Sequence, residues 1–173
     1  KSLGGILIGS VTRKIIITSD RSVLIARRQT NAAGELSGVL ATDHSEYGNL
    51  CFDLLNKHLP TGLRKLIVTT VYPEKLSEIL GHNLGHFKAD IPGWIREELQ
   101  NANSRLIERL GWLECSFVSL VEEGVVNEVL DRVIANEGAD ILILGAHGSG
   151  VANKLIFGSI TLHQAFGQSK SVL

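Results

Sequence analysis

The sequence predicts an α/β domain built on a doubly wound parallel sheet, and three observations support this prediction. Short apolar strand patterns alternate with amphipathic helix patterns, which is the order of elements in a parallel sheet with crossover helices. The run Ile141–Leu144 holds four consecutive branched apolar residues, as expected for a strand buried on both faces. A loop containing three glycines, residues 145–150, follows that run at once, and another helix pattern comes after the loop.

The composition fits a globular protein and argues against several other classes. With 173 residues the chain is long enough for one well-cored domain and a remainder, and its net charge of -1 gives no reason to expect nucleic acid or a membrane surface as partner. It has no apolar run of the length that crosses a bilayer and no signal-peptide pattern. Cys51 and Cys115 are too few for a disulfide framework, so we expect reduced, buried thiols and a cytoplasmic protein. The absence of methionine suggests a fragment or a processed product.

The first 28 residues repeat a pattern from the end of the chain. When Gly9-Ser10 is placed on Gly158-Ser159, further identical or similar residues coincide. These are Thr12 with Thr161, Arg21 with Lys170, and Ser22-Val23-Leu24 with Ser171-Val172-Leu173. We interpret residues 1–28 as the last helix and strand of a truncated upstream repeat, residues 29–37 as a polar linker, and residues 38–173 as a complete domain. The alternative is an unrelated N-terminal helix and strand.

The first half of the domain predicts two strands and a helix. Residues 38–43 form a short apolar strand that ends in Asp43, and ligands of open parallel sheets gather at such strand ends. Alternatively, Asp43 or Ser45 caps the next helix, predicted from about residue 47 to residue 58. The apolar face predicted for that helix is formed by Leu50, Cys51, Leu54 and Leu55. Residues 66–72, rich in β-branched side chains, predict the second strand.

The second half predicts a long helix, two further strands and the helix between them. Residues 73–93 are interpreted as a loop; His82 and His86 have the spacing of metal ligands on a helix, but no third ligand is evident. Apolar residues at three- and four-residue steps predict a helix over residues 94–110. Residues 115–120 predict the third strand, and residues 125–134 the next helix. The chain ends in a fifth strand at residues 171–173.

The glycine loop has the features of an anion site. Gly145, Gly148 and Gly150 let a ligand approach the main chain, and a helix predicted from about residue 152 would direct its positive N-terminal end at the same place. The loop does not match the dinucleotide fingerprint, and it lacks the Gly-Lys-Ser/Thr sequence of a Walker loop. The alternative interpretation is a tight turn between strand and helix.

The spacing of these glycines carries a family resemblance. Gly145, two residues, Gly148, nine residues and then Gly158-Ser159 is similar to the signature of the universal stress protein family in its ATP-binding branch. This resemblance implies a Rossmann-like, adenine nucleotide alpha hydrolase-like sheet with strand order 3-2-1-4-5. It further implies that Asp43 contacts the adenosine part of ATP and that the main chain of Val71 meets the adenine ring. One departure is Ser149, since the family often has a basic residue there.

The resemblance also implies a ligand, a set of contacts and an assembly. The ligand is ATP, accompanied by Mg²⁺ bound to the phosphates. The residues placed around the nucleotide are Ala41, Asp43, Val71, Leu144, Gly145, Gly148, Ser149, Gly150, Gly158, Ser159, Ile160 and Thr161. Family members commonly dimerise through the fifth strand, so we expect residues 22–26 to pair with residues 171–173 of the same or a neighbouring molecule.

Three functions stay open at this point. The first is a nucleotide-responsive regulatory module of the stress response that acts through a protein partner. The second is a slow ATPase, although the sequence offers no evident nucleophile with a neighbouring base; His147 is the one imidazole in the loop. The third is a dimerisation or interaction domain that binds no nucleotide, which the absence of a basic residue at position 149 favours.

Overall fold

A computed structural model describes residues 9–27, 35–55, 62–73, 91–146 and 158–173. Within these ranges helices and strands alternate along the chain. In order, they are α1 (Ser10–Thr18), β1 (Leu36–Ala41), α2 (Glu46–Leu55), β2 (Leu63–Tyr72), α3 (Ile91–Arg109), β3 (Ser116–Glu123), α4 (Val126–Asn136), β4 (Ile141–Leu144), α5 (Ser159–Gly167) and β5 (Ser171–Val172).

The five strands form one parallel sheet in the order β3-β2-β1-β4-β5, which confirms the predicted fold class and strand order. The last residue of β1, Ala41, lies in register with Thr69 of β2 and Leu144 of β4. From β1 the sheet grows through β2 and β3 on one side and through β4 and β5 on the other. The chain therefore changes direction across the sheet between β1 and β4.

Both faces of the sheet are buried, as the apolar runs predict. Neighbouring residues of one strand enter different cores: Val39 packs in the core that includes α1, α4 and α5, whereas Leu40 packs in the core that includes α2 and α3. In β4, Leu142 joins the first core, and Ile141 and Ile143 join the second. Because successive side chains of a strand point to opposite faces, a strand buried on both sides needs an uninterrupted apolar run.

Several details differ from the sequence-based expectations. The strand β1 begins at Leu36, two residues before the predicted start, because Leu36 and Ser37 already pair with β2. Leu50 was predicted to face the core but is 61% exposed, and the aromatic Phe52 fills the core from α2 instead. Cys51 and Cys115 are free thiols, and both are half-buried rather than buried.

The start of α5 also differs from the prediction. The helix begins at Ser159 because the preceding residue, Gly158, is extended, with φ -59° and ψ 140°. A helix running without interruption from about residue 152 is therefore wrong at Gly158. Residues 152–157 themselves lie outside the described ranges.

The N-terminal segment packs on the edge of the sheet. Ile16 of α1 joins the core beneath α4 and α5. Ile25 then forms an antiparallel bridge with Val172 of β5: the Ile25 N–H donates to the Val172 carbonyl at 2.7 Å, and the Val172 N–H donates back at 3.1 Å. The Arg27 N–H donates to the Ser171 hydroxyl at 3.0 Å. The expected pairing with the fifth strand is thus observed within the chain at Ile25. None of the helices in the described ranges is long and apolar enough to cross a membrane.

Candidate functional site

The carboxyl ends of β1 and β4 lie side by side where the sheet changes direction. Ala41 and Leu144 are register partners, so the residues that follow them, Thr42 and Gly145, leave the sheet at the same level. Ligands of open α/β sheets bind in the crevice at this kind of switch point, because the crossover helices diverge there and leave a gap above the strand ends.

The start of α5 is fixed to the end of β4 by two hydrogen bonds. The Gly158 N–H donates to the Ala146 carbonyl at 3.0 Å, and the Thr161 hydroxyl donates to the Gly145 carbonyl at 2.7 Å. Residues that are more than ten positions apart in the sequence thereby meet at one edge of the sheet. The start of α5 therefore lies beside the end of β4.

The first turn of α5 is open to solvent. Ser159 and Ile160 are exposed, and the N–H groups at a helix start have no carbonyl partner inside the helix. The Thr161 hydroxyl uses its proton on Gly145, so it holds the helix in place, whereas Ser159 is exposed to solvent. Exposed N–H groups and the positive end of the helix dipole make this turn a seat for an anion.

The loop after β1 shows which of the two candidate residues caps the next helix. The Ser45 hydroxyl accepts the Gly48 N–H at 3.1 Å, so Ser45 caps α2. The Asp43 carboxylate accepts the Ser45 N–H at 3.0 Å and is exposed at the strand end. Ser45 therefore has the capping role, and Asp43 orders the turn before the helix, two residues after the end of β1.

Val71 lies in β2 beyond the end of β1. The Thr69 carbonyl accepts the Thr42 N–H at 3.0 Å, so the main-chain groups of Thr69 point toward β1, and the period of two makes those of Val71 point the same way. The Tyr72 carbonyl, in contrast, accepts the Gly124 N–H on the β3 side. The polar main-chain groups of Val71 consequently face the crevice above Ala41.

A buried polar network beside the crevice was not found by the sequence analysis. The Asn103 side chain is fully buried, and its oxygen accepts the Thr70 hydroxyl at 2.7 Å and the His44 ring nitrogen Nε2 at 2.9 Å. Its nitrogen donates to the Ser119 hydroxyl at 3.0 Å and to the Leu120 carbonyl at 3.1 Å. One amide from α3 thus joins the loop after β1 to the ends of β2 and β3.

The network defines the protonation of His44. Thr70 gives its single hydroxyl proton to Asn103, so the Thr70 oxygen, 3.1 Å from Nε2, and the Asn103 oxygen are both acceptors. The proton of the ring therefore sits on Nε2. Burial lowers the pKa of His44, against the hydrogen bond to Asn103 and the charge of Asp43, and Arg105 lowers it further. His44 also has a left-handed backbone, with φ 53°.

Both residues had a signal in the sequence. Asn103 is placed four residues after Leu99 and three before Leu106, on the apolar stripe of the predicted helix, where an amide must find partners. His44 directly follows the strand-end carboxylate.

Part of the expected site lies outside the described ranges. Gly148, Ser149, Gly150 and the neighbouring His147 are in this part, and so are His82 and His86. In the ranges that are described, side chains of His, Cys, Asp and Glu form no cluster that could hold a metal ion.

Comparison with known proteins gives one sequence relative and several structures. No protein-family model matches the chain. Universal stress protein MJ0577 of Methanocaldococcus jannaschii is 23% identical over 94 residues, which make up 54% of this chain and 58% of that protein. The match therefore spans less than two thirds of the relative's length. The solved structure of MJ0577, a hypothetical protein whose biochemical function was assigned from its structure, has a TM-score of 0.65 at 21% identity and covers 80% of this chain and 94% of its own.

The chain is thus similar to a universal stress protein in sequence and shares its fold. Two further structures share this fold over 80% of the chain. Hypothetical protein PH0823 has a TM-score of 0.61 at 19% identity, with 93% of its length covered. A universal stress protein in complex with cAMP has a TM-score of 0.51 at 18% identity, with 95% covered. The resemblance to universal stress proteins that the glycine spacing carries is thus confirmed by one sequence relative and by the shared fold.

Proposed function

We propose that this chain binds an adenine nucleotide, ATP together with Mg²⁺, in the crevice between β1 and β4, and that it acts as a nucleotide-responsive regulatory module of the stress response. The observation that carries the proposal is the start of α5. Gly158 and Thr161 hold its open first turn against the end of β4, beside the end of β1. Main-chain donors together with the positive end of a helix dipole are suited to binding a phosphate.

Each part of the nucleotide has a matching part of the crevice. The phosphates lie at the first turn of α5, with Ser159 as hydroxyl donor and Mg²⁺ bound to the phosphate oxygens. Asp43 accepts hydrogen bonds from the adenosine, and the main chain of Val71 meets the adenine edge. Ala41, Leu144 and Ile160 provide apolar contacts. Gly145, Gly148, Ser149 and Gly150 complete the phosphate loop in this proposal.

The crevice supports binding rather than turnover. The Thr161 hydroxyl is committed to Gly145, and the Nε2 proton of His44 is committed to Thr70 and Asn103. Around the described strand ends no side-chain pair has the arrangement of a nucleophile with its base. A regulatory module needs only that the nucleotide stabilise one conformation, which other proteins then recognise.

The second candidate is an interaction domain without a nucleotide. Its support is Ser149, which provides no cation for a phosphate, and the packing of the N-terminal segment on β5, which shows that this edge accepts another strand. In this case the first turn of α5 would serve only as a link between strand and helix.

Calorimetric titration with ATP, with and without Mg²⁺, distinguishes the two candidates. GTP is the control for base selectivity, and cAMP is included because one structural relative is in complex with it. The decisive variant is Ser159→Asp, because an acidic residue in a first helical turn favours the helix but repels phosphate. Ser22→Asp adds the same charge at an exposed position away from the crevice and is the matched control. Gly148→Val tests the loop itself.

We expect saturable binding of ATP that is retained in Ser22→Asp and weakened by about tenfold or more in Ser159→Asp. The thermal midpoint of Ser159→Asp should stay at or above that of the parent chain. Absence of binding to folded, nucleotide-free protein would contradict the proposal and leave the interaction domain. Equal binding of ATP by Ser22→Asp and Ser159→Asp would mean that the nucleotide does not bind at the start of α5.

A further inference from the structure

A groove runs between α2 and α3 on the second face of the sheet. It has a volume of about 360 Å³ and is lined by His44, Asn49, Ala102, Arg105, Leu106 and Arg109. Sites for small molecules begin at about 300 Å³. The helices α2 and α3 pack in the core opposite to that of α5, so the groove is separate from the start of α5 and from the proposed nucleotide phosphates.

The described residues that line the groove include two guanidinium groups, and one of these groups has no ion pair with a described acid. Arg109 is paired with Asp53 and lies over the ring of Phe52, 4.7 Å from the centroid. Arg105, one helical turn earlier and on the same face of α3, is exposed and has no ion pair with a described residue. None of the described residues that line the groove is acidic. Within the part of the chain that the structure describes, an anion in the groove would therefore meet Arg105 without displacing an ion-pair partner.

The remaining walls suit an anion that carries a small apolar body. The side-chain amide nitrogen of Asn49 lies near the start of α2, where it donates a long hydrogen bond of 3.4 Å to the His44 carbonyl. Ala102 and Leu106 form an apolar strip on α3 beside Arg105. The His44 ring is held by Thr70 and Asn103, so this wall is fixed by the buried network.

We propose that this groove is a second ligand site, which binds a small organic anion. Its phosphate or carboxylate group pairs with Arg105 and accepts the Asn49 amide, and its apolar part lies on Ala102 and Leu106. Arg109 stays with Asp53 and forms the lower end of the site. Phosphate and carboxylate each present two oxygen atoms that a guanidinium group can bind through two parallel N–H···O hydrogen bonds.

The test is a titration of the whole chain with phenyl phosphate and, in parallel, with benzoate, followed by the NMR shifts of the Asn49 side-chain amide and of the backbone amides of α3. Phenol is the neutral control. The variant Arg105→Gln removes the charge and keeps a polar side chain. Arg21→Gln is the matched control, because Arg21 is exposed in the N-terminal segment and carries only a pair with the equally exposed Asp20. Ala102→Leu fills the groove with a good helix former.

We expect saturable shifts at Asn49 and α3 with a dissociation constant of about 1 mM, weakened about tenfold or more in Arg105→Gln and in Ala102→Leu and unchanged in Arg21→Gln. A response to only one of the two probes identifies the acid group that the site prefers. No saturation up to about 10 mM, or equal loss in Arg21→Gln, overturns the proposal. Saturating ATP or Ser159→Asp should leave the shifts unchanged; if either abolishes them, the probe is in the nucleotide crevice and the second site does not exist. The shifts expected with phenyl phosphate and benzoate do not depend on whether the chain binds ATP.

Discussion

Asn103 is the residue on which the polar interior depends most. It is 0% exposed, and its amide joins His44, Thr70, Ser119 and the Leu120 carbonyl. Replacing it with leucine of similar size would remove the amide from all four; the Thr70 hydroxyl and the His44 ring keep only their contact with each other, and the Ser119 hydroxyl and the Leu120 carbonyl lose the hydrogen bonds that the amide donates. We therefore expect Asn103→Leu to lower the free energy of unfolding by about 2 to 4 kcal/mol.

Urea unfolding of Asn103→Leu beside Asn101→Leu measures this effect. Asn101 is on the same helix but exposed, so its replacement should change the stability by no more than about 0.5 kcal/mol. Equal effects of the two substitutions would mean that the network does not stabilise the fold.

The lowered pKa of His44 gives the stability a dependence on pH. Burial makes the folded protein resist a proton that the unfolded chain accepts near its ordinary pKa of about 6.5. The unfolded state therefore binds more protons as the pH falls below about 6.5, and the contribution of His44 to stability is lost toward acidic pH. The free energy of unfolding should decrease from pH 7 to pH 5 through this group.

The variant His44→Asn tests this prediction, since asparagine tolerates the left-handed backbone and does not titrate. It should be less stable than the parent chain at pH 7 but lose less stability on acidification. His163→Gln, which removes an exposed histidine of α5 outside the network, is the control. A parent chain and a His44→Asn variant with parallel pH profiles would contradict it.

At the residue scale, the sequence identified residues that belong to a local pattern or spacing. It did not identify residues whose role depends on contacts with other helices and strands. Asp43 was recognisable because it ends the predicted strand over residues 38–43, and Gly158 because it belongs to the glycine spacing. Asn103 was not, because its partners lie on other elements and an amide within an apolar stripe resembles a break in the stripe. The hydroxyls of Ser159 and Thr161 could be named, but only the fold shows that one is exposed and the other bound to Gly145.

At the element scale, the side chain of Ser45 caps α2. The Ser45 hydroxyl accepts the Gly48 N–H at 3.1 Å. Removing this acceptor in Ser45→Ala should cost about 1 kcal/mol of stability. The same change in Ser104→Ala is the control, because that hydroxyl only bonds back to the Gln100 carbonyl inside α3. Thermal unfolding should show Ser104→Ala to be neutral or slightly stabilised, since alanine is the better helix former. Equal destabilisation would refute the cap.

Helices and strands were predictable where a run of apolar residues in the sequence marks their buried positions. The strands β2 and β4 followed from branched apolar runs that serve both cores. The start of α5 did not, because Leu155 and Ile156 continue a helical spacing through Gly158, whereas the extended backbone of Gly158 ends it. Leu50 was assigned to the core because its neighbours are apolar, although Phe52 takes that place.

At the scale of the whole molecule, the strand order came from the resemblance and not from periodicity. Periodicity identifies a strand but not its neighbour, because pairing joins residues far apart in sequence, such as Ala41 with Thr69 and Leu144. The pairing of the N-terminal segment with β5 was expected from the internal repeat. The origin of that segment as a truncated upstream repeat remains our interpretation of the same similarity.

The N-terminal segment covers the edge of the sheet, and the bridge at Ile25 can be tested alone. Ile25 is 8% exposed and packs in the core with Val172, whereas the adjacent Leu24 is 54% exposed. A carboxylate at position 25 cannot stay buried without a partner, so Ile25→Asp should release the segment while the sheet stays folded. The Val172 N–H, which donates to the Ile25 carbonyl, would then exchange with solvent about tenfold faster or more.

Hydrogen exchange of the Val172 amide in Ile25→Asp and in the control Leu24→Asp measures this release. Because a free strand edge pairs with other strands, Ile25→Asp should also self-associate in sedimentation as the protein concentration rises, and Leu24→Asp should not. Unchanged exchange in Ile25→Asp would show that the bridge does not hold the segment. Faster exchange without self-association would show that the segment docks on β5 but that the uncovered edge is too short, at Ser171–Val172, to hold a second chain.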